Sequence, residues 1–374
     1  MVLQPESVYV QLGNKQDDTT GAISPPIHLS TAYRHNELGQ STGYEYTRTK
    51  NPTRSILEEG IAALEHGVAG FACSSGMAAI QLVLSLFKSG DHILLPYDIY
   101  GGTYRLLAHA HEHYQLEVSY ADFQDLRSIK QMIRPETKAI FLETPTNPLL
   151  EEIDLTEVCQ IAKANDLIVI VDNTFYTPYL QQPLRLGADI VVHSATKYLA
   201  GHNDVLAGLV VAKSKQIAER LADLHNNIGA TLGPFDAWLV IRGIKTLPLR
   251  IRAQQKNAQH LAAFLADQDH VQEVIYPGKG AMVSFRLQES SWVAPFLKQL
   301  KLISFAESLG GVESFITYPA TQTHADIPEA ERVARGIDGQ LLRFSVGIEN
   351  VNDLIADLTQ SFSKMNNSKG GDLE

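Results

Sequence analysis

The stretch 167–172, LIVIVD, is an uninterrupted apolar run that ends in a carboxylate. Four more short apolar runs share its character, with helical stretches between them: 93–95, 139–142, 190–192 and 206–211. A strand without polar alternation is buried on both faces, and parallel strands joined by helices need such burial. The runs therefore predict an α/β domain built on a mostly parallel sheet.

Three segments of the chain differ in their pattern, and 374 residues are too many for one ordinary core. Residues 1–53 are polar and turn-rich, so they predict an N-terminal arm that packs on another surface such as a neighbouring subunit. Residues 54–234 carry the α/β pattern. Residues 235–374 mix strand-like segments with helical stretches and predict a smaller C-terminal α+β domain.

Composition and charge limit the class of protein. The apolar fraction of 44% and the charged fraction of 20% are typical of a globular protein. A formal charge of −11 argues against a nucleic-acid surface, which needs clustered Lys and Arg. Cys73 and Cys159 lie in apolar segments, so we expect buried free thiols, and no Cys/His spacing suggests a metal. No signal peptide or apolar run of ~20 residues is present, which predicts a cytoplasmic protein without a membrane partner.

The residues that follow the predicted strands carry the candidate chemistry, because ligands of open α/β sheets bind beyond the carboxyl ends of strands. The turn 193–197, HSATK, places the hydroxyls of Ser194 and Thr196 beside Lys197, whose amine becomes a nucleophile when it is desolvated. Asp172 follows so apolar a run that it needs a cationic partner, such as the protonated ring nitrogen of pyridoxal phosphate (PLP). A surface lysine and a helix-capping aspartate are the alternative interpretations of these two residues taken singly.

A phosphate site and a ring contact are predicted further upstream. Residues 75–77, SGM, begin a helix after the strand-like segment 71–73, and the N–H groups at a helix start bind anions. Tyr100, in a glycine-containing loop, is a candidate for stacking on an aromatic cofactor. Ordinary helix capping and loop packing are the alternative interpretations.

Together these pieces resemble the Cys/Met-metabolism family of PLP enzymes, the cystathionine γ-synthase and γ-lyase group, which has the aspartate-aminotransferase-like fold (fold type I). The resemblance runs in order from Tyr44 through Val346. Its motifs are YEYTR (44–48), NPTR (51–54), SSGM (74–77), YGGT (100–103), ETPTNP (143–148), VDNT (171–174), SATKY (194–198), GHND (201–204), SLGGVES (308–314) and LRFSVG (342–347).

The resemblance implies a cofactor role for each matching residue. Lys197 would hold PLP covalently and act as the catalytic base, and Asp172 would pair with the ring nitrogen. Tyr100 would stack on the ring and count as a second catalytic residue. The remaining contacts go to the phosphate: Gly76, Met77, Ser194 and Thr196 within one subunit, and Tyr46 and Arg48 across a subunit interface. The resemblance thus implies a homo-oligomer, namely a dimer with shared sites that pairs into a tetramer.

The substrate contacts follow from the same resemblance. Arg343 would clamp the α-carboxylate of an amino-acid substrate, with Ser314 and Asn147 assisting. Glu313 is shared by γ-synthases and γ-lyases, whereas β-lyases often have an aromatic residue there. Arg105 resembles an arginine of γ-synthases that receives an acidic substrate tail, although a solvated helix arginine is equally consistent with the sequence.

These residues favour γ-replacement on O-acetyl- or O-succinylhomoserine, in which cysteine gives cystathionine or sulfide gives homocysteine. Cystathionine γ-lyase or β-lyase activity is the alternative, and the acyl group and the thiol stay open. Rival classes lack their motifs, since the chain has no Gly-x-Gly-x-x-Gly turn for a dinucleotide, no P-loop and no basic helix-turn-helix segment.

Overall fold

The computed structural model describes residues 3–15 and 17–367, which divide into two compact units. Unit 1 comprises the described residues up to Pro96 together with Arg105–Glu143 and Asp154–Pro248. Unit 2 comprises Tyr97–Tyr104, Thr144–Ile153 and the described residues from Leu249 onwards. The domain boundaries predicted after residues 53 and 234 stay a prediction.

Twelve strands and fourteen α helices form within these described residues. The strands are β1 (Ala69–Cys73), β2 (His92–Pro96), β3 (Glu117–Ala121), β4 (Thr137–Glu143), β5 (Ile168–Asp172), β6 (Ile190–Ser194), β7 (Gly208–Ala212), β8 (Val271–Ile275), β9 (Met282–Leu287), β10 (Ser304–Phe305), β11 (Phe315–Thr317) and β12 (Leu341–Ser345). The helices are α1 (Pro5–Val10), α2 (Pro52–Glu65), α3 (Gly76–Leu84), α4 (Gly101–Tyr114), α5 (Leu126–Met132), α6 (Leu155–Ala164), α7 (Thr177–Leu180), α8 (Pro183–Leu186), α9 (Lys215–Ile228), α10 (Pro234–Ile244), α11 (Leu247–Ala266), α12 (Val293–Gln299), α13 (Glu329–Ala334) and α14 (Val351–Asn367).

Unit 1 is built on a seven-stranded sheet with the order β1-β7-β6-β5-β4-β2-β3. The five strands from β6 to β3 are parallel, whereas β7 is antiparallel to both of its neighbours. All five apolar runs of the sequence lie in this sheet, which confirms the predicted mostly parallel α/β fold. The reversed direction of β7 is the exception, because an apolar run does not encode the direction of its strand.

Unit 2 has its own five-stranded sheet with the order β10-β11-β12-β9-β8, in which only the β10–β11 pair is parallel. Side chains of β9, β12 and helices α11, α12 and α14 form one buried core. Its aromatic centre includes Phe285 and Phe296, whose rings meet edge to face at 6.1 Å. This is the smaller α+β domain that the sequence predicts.

The N-terminal arm is fixed at its base by the buried Arg54 of α2. The Arg54 guanidinium donates from Nη1 to the carbonyl oxygen of Thr47 at 2.7 Å and from Nη2 to that of Arg48 at 3.0 Å. Its Nε pairs with Glu58 Oε1 at 3.2 Å. The side chains of Tyr46 and Arg48, in the same segment, are exposed on the surface of unit 1.

Residues 3–15 and 17–367 contain neither a membrane-spanning helix nor a cluster of metal-binding side chains. No helix there has both the length and the apolar character that crossing a bilayer requires. No group of three or more His, Cys, Asp or Glu side chains in the same residues is arranged to hold a metal ion. Cys73 and Cys159 are buried and free.

The buried His225 of α9 gives unit 1 a predictable response to pH. Its Nε2 donates to the carbonyl oxygen of Ala72 at 3.0 Å, and burial lowers its pKa from 6.5 to about 4. Unfolding therefore takes up a proton, so stability that is present above pH 6.5 is lost as the pH falls towards about 4. The variant His225→Gln keeps a donor for Ala72 but cannot titrate. Between about pH 7 and about pH 5, we expect the unfolding free energy of the wild type to fall by about 2 kcal/mol more than that of the variant. Urea unfolding at the two pH values measures this, and equal pH dependence in both proteins would contradict it.

Candidate active site

Polar residues mark the carboxyl ends of three neighbouring parallel strands in unit 1. Glu143 ends β4, Asp172 ends β5 and Ser194 ends β6, with Glu143 opposite Asp172 in the register. After β6 the chain turns, because the Lys197 N–H bonds to the Ser194 carbonyl oxygen at 3.2 Å. The predicted residues Asp172, Ser194, Thr196 and Lys197 therefore share one edge of the sheet.

Thr174, which the sequence analysis did not identify, joins Asp172 to Ser194. Its hydroxyl donates to Asp172 Oδ1 at 2.6 Å and accepts the Ser194 N–H at 2.8 Å. Burial raises the pKa of Asp172, while the bonds from Thr174 oppose that rise. The charge of His193 also opposes the rise in the pKa of Asp172. A half-buried carboxylate in this setting is suited to bind a cationic group of a ligand.

Helix α3 begins in close contact with Ser194. A Cβ atom on Gly76 would lie 2.9 Å from the Cβ and Oγ atoms of Ser194, so only glycine permits this approach. Ser75 caps the helix by accepting the Ala78 N–H at 3.0 Å. The N–H groups of Gly76 and Met77 come earlier in the first turn and have no carbonyl partner within their own helix. Two N–H donors, the helix dipole and the Ser194 hydroxyl together suit an anion such as a phosphate.

Thr196 is already hydrogen-bonded within the fold. Its Oγ1 donates to the Ala207 carbonyl oxygen at 3.2 Å and accepts the Ala207 N–H at 3.0 Å, which ties the turn after β6 to the start of β7. A hydroxyl has one hydrogen to donate. To donate to a phosphate, as predicted, the Thr196 hydroxyl would have to give up its bond to the Ala207 carbonyl oxygen.

Tyr46 and Arg48 lie together on the surface of unit 1. The Arg48 guanidinium carbon is 5.3 Å from the centre of the Tyr46 ring, and Arg48 Nε donates to Asn226 Oδ1 at 3.2 Å. Tyr46 is 47% exposed. Their contact with a phosphate across a subunit interface stays a prediction.

In unit 2, Arg343 is buried and its guanidinium is held by neutral oxygen atoms. Nη1 donates to Asn147 Oδ1 at 2.8 Å, which joins the two predicted residues. Nη2 donates to Thr317 Oγ1 at 3.0 Å and to the Ser308 carbonyl oxygen at 3.3 Å, and the sequence analysis identified neither. These contacts fix the orientation of the planar guanidinium, whose paired N–H groups suit a carboxylate.

His324 is a second residue of the Arg343 region that the sequence analysis missed. It is 1% exposed, and its Nε2 has no hydrogen-bond partner among the described residues. Burial, assisted by the charge of Arg343, lowers the His324 pKa to about 4. The ring is therefore neutral near neutral pH and adds no second positive charge beside Arg343.

Ser314 has partners other than Arg343. Its hydroxyl donates to Glu349 Oε2 at 2.8 Å and accepts the Gly347 N–H at 2.9 Å, so it ties two loops of unit 2 together. The neighbouring Glu313 is exposed. The predicted contacts of both residues with a substrate stay predictions.

Tyr100 and Arg105 are close in sequence but differ in burial. Tyr100 is half-buried in the unit 2 segment that also contains Asp98. Asp98 accepts the Leu149 N–H at 3.4 Å, and burial raises the Asp98 pKa to about 6. This contact links the segment of Tyr100 to the loop that carries Asn147. Arg105 is exposed, and the roles of both residues remain predictions.

Comparisons with known proteins match the chain over nearly its whole length. Residues 6–363 match the family described as Cys/Met metabolism PLP-dependent enzyme. The chain is 59% identical to the cystathionine γ-synthase/O-acetylhomoserine (thiol)-lyase of Bacillus subtilis, over 96% of each chain. It is 57% identical to the cystathionine γ-synthase of Haemophilus influenzae, over 96% of this chain and 98% of the other.

A solved structure shows the same fold. Cystathionine γ-lyase from Lactobacillus plantarum, complexed with L-serine, superposes with a TM-score of 0.94 at 44% identity. The match covers 97% of this chain and 100% of that one.

The residues at the sheet edge of unit 1 fit PLP. Asp172 is a half-buried carboxylate at the end of β5, which suits a protonated ring nitrogen. Gly76 brings the start of α3 close to Ser194, and the first N–H groups of that helix are donors for a phosphate. Lys197 lies three residues beyond Ser194 on the same edge. These residues would hold the ring nitrogen, the phosphate and the aldehyde carbon of the cofactor, respectively.

Proposed function

Because this chain belongs to the Cys/Met metabolism family of PLP-dependent enzymes, we propose that it catalyses γ-replacement on an O-acylhomoserine. Cysteine as the incoming thiol gives cystathionine, and sulfide gives homocysteine. One observation carries the choice of reaction: the 59% identity, over 96% of both chains, with an enzyme described as cystathionine γ-synthase/O-acetylhomoserine (thiol)-lyase.

Lys197 moves the protons of the proposed reaction. PLP, when bound, supplies an electron sink for negative charge next to the amino group of the substrate. The Lys197 amine takes a proton from the substrate Cα and passes it to C4′ of the cofactor, so that it is a free amine again. It then takes a proton from Cβ, and the γ-acyloxy group leaves as a carboxylate. The thiol loses its proton to water and adds at Cγ as the thiolate, after which Lys197 returns a proton to Cβ and moves the other proton from C4′ back to Cα.

Arg343 and Asp172 hold charges that the reaction needs fixed. The guanidinium of Arg343 binds the α-carboxylate, and Asn147 and Thr317 orient it for that contact. The Asp172 carboxylate pairs with the protonated ring nitrogen, which keeps the cofactor electron-poor. The Thr174 hydroxyl holds this carboxylate in place.

We further propose that the enzyme acts in the cytoplasm as a dimer with shared sites, which pairs into a tetramer. The exposed position of Arg48 on an arm anchored at Arg54 supports a shared site. Arg48→Ala is expected to raise the dissociation constant of PLP by about tenfold, the effect of losing one charged contact. Lys50→Ala, another exposed cation of the same arm, is the control that leaves the constant unchanged. Titration of the apo protein with PLP measures both, and full retention by Arg48→Ala in a proven dimer would refute the shared site.

Cleavage of cystathionine, at its γ or its β carbon–sulfur bond, is the second candidate function. The likeness to the Lactobacillus plantarum γ-lyase, at 44% identity over nearly all of both chains, favours keeping it. In a lyase, water rather than a thiol ends the reaction, and a 2-oxo acid and ammonia are released.

Product analysis distinguishes the two candidates. The purified protein is given O-acetylhomoserine or O-succinylhomoserine with cysteine or sulfide, and separately cystathionine alone. We expect cystathionine or homocysteine from the mixtures, at a rate well above any release of 2-oxo acid. Formation of 2-oxobutyrate or pyruvate from cystathionine, without a replacement product in any mixture, would overturn the proposal in favour of a lyase.

A further inference from the structure

Glu65 is a fully buried carboxylate at the end of α2 that joins the ends of β5 and β6. Its Oε1 accepts a hydrogen bond from Asn173 Nδ2 at 2.9 Å. The same oxygen lies 2.7 Å from His193 Nε2, and both side chains are 0% exposed. A carboxylate oxygen accepts, so Nε2 of His193 is the donor of this bond.

The partners of Glu65 are the sequence neighbours of the cofactor contacts. Asn173 directly follows Asp172, and His193 directly precedes Ser194. The Asn173 N–H also bonds to the Val192 carbonyl oxygen at 2.9 Å, so the ladder between the two strands continues to this level. Because successive side chains of extended chain alternate between faces, Asn173 and His193 point away from the face that presents Asp172 and Ser194.

The two strand ends are therefore tied together on both faces. On one face the Thr174 hydroxyl links Asp172 to the Ser194 N–H, at 2.6 and 2.8 Å. On the other face the Glu65 carboxylate links Asn173 to His193. A relative shift of β5 and β6 would break bonds on both faces, so two separate sets of hydrogen bonds fix the distance from Asp172 to Ser194.

A purely structural role would not require a carboxylate at this position. Burying a charged or polar group is costly unless it is fully bonded, and apolar side chains of similar volume often replace such groups without loss. Here Glu65 Oε2 and His193 Nδ1 have no hydrogen-bond partner among the described residues, so the desolvation of these two atoms is not offset. A buried polar network of this kind is retained where the arrangement that its hydrogen bonds enforce is needed.

We propose that Glu65 is a positioning residue of the cofactor site, which acts through Asn173 and His193 to set the spacing between Asp172 and Ser194. That spacing matters because the two residues would bind the ring nitrogen and the phosphate of one PLP molecule. The inference rests on the proposed assignment of Asp172 and Ser194 to these two groups. It adds a residue that does not touch the cofactor and that neither motif nor strand-end reasoning identifies.

The test compares Glu65→Gln with Asp91→Asn in the full chain. Asp91 is a matched control, because it is a buried carboxylate of unit 1 that accepts the Lys88 N–H at 2.9 Å and lies just before β2. The dissociation constant of PLP is measured by titrating the apo protein, and the unfolding temperature of the apo protein is measured alongside. We expect Glu65→Gln to raise the dissociation constant at least about tenfold and Asp91→Asn to change it less than about twofold.

His193→Gln provides an independent variant if Glu65→Gln does not fold. Glutamine keeps a donor for Glu65, so we expect a rise in the PLP dissociation constant that is smaller than for Glu65→Gln but larger than for the control. An unchanged constant in the Glu65 and His193 variants, with or without a lower unfolding temperature, would show a merely structural role and overturn the inference. A wild-type protein that binds no PLP would instead refute the cofactor assignment itself, so the two failures are distinguishable.

Discussion

Replacing Lys197 with alanine is expected to lower kcat/KM by at least ~10⁴-fold, because one amine both holds the cofactor and moves the substrate protons. The visible absorption that depends on covalent attachment of PLP should disappear as well. Steady-state kinetics with O-acetylhomoserine and cysteine measure the first effect, and an absorption spectrum of the purified protein measures the second.

Lys213→Ala is the matched control for this substitution. Lys213 directly follows β7 of the same sheet, is exposed, and donates its N–H to the Asp189 carbonyl oxygen. Its replacement should leave colour and rate unchanged. If Lys197→Ala kept the absorption band and most of the rate, another lysine would have to hold the cofactor.

Replacing Arg343 with alanine is expected to raise KM for every amino-acid substrate by about 100-fold or more, because the α-carboxylate loses a bidentate partner. Arg343→Lys should recover only part of the loss, since an ammonium cannot make two parallel bonds. The PLP absorption spectrum should stay that of the wild type. Initial rates over a range of substrate concentrations separate the change in KM from any change in kcat.

Arg286→Ala controls for the loss of an arginine from the same sheet. Arg286 lies on β9, opposite Leu341 of β12, and bonds to Asp338 at 3.0 Å rather than to the Asn147 loop. We expect its replacement to leave KM unchanged. An Arg343→Ala enzyme with wild-type KM would show that the carboxylate binds elsewhere.

The central strands were predictable from the sequence because their side chains are buried on both faces. The edge strands were not: β3 (EVSYA) and β8 (VQEVI) each pair with one neighbour only and carry exposed or half-buried polar residues, so they lack an apolar run. The periodicity from 235 to about 267 predicts one long helix, whereas the structure has α10 and α11. Pro248 explains the break, since it cannot continue a helix that is already under way.

Some residues of the candidate site can be identified from local sequence, and others only from the tertiary structure. Asp172, Ser194 and Lys197 follow apolar runs, so the rule that ligands bind at strand ends identifies them. Thr317 meets Arg343 only because β11 pairs with β12 in the register that places them opposite each other. Glu65 is 108 residues from Asn173 in sequence, and no local pattern indicates that they share a hydrogen bond.

Ser314 shows the limit of motif reasoning. It stands in a motif of the family, yet its hydroxyl bonds to Glu349 and Gly347. A motif identifies a segment but does not tell which of its side chains faces a ligand. Thr174 shows the reverse case, since it also lies in a family motif but its link from Asp172 to Ser194 became visible only in the structure.

The central claim, that Lys197 holds PLP, is tested most directly by fixing the cofactor to the residue that binds it. The purified protein is treated with borohydride, which makes the attachment permanent, and is then digested and analysed by peptide mass spectrometry. We predict one pyridoxyl-phosphate adduct, on the lysine of the peptide that contains HSATK (193–197). An adduct on another lysine, or none in a protein that carries PLP, would contradict the account.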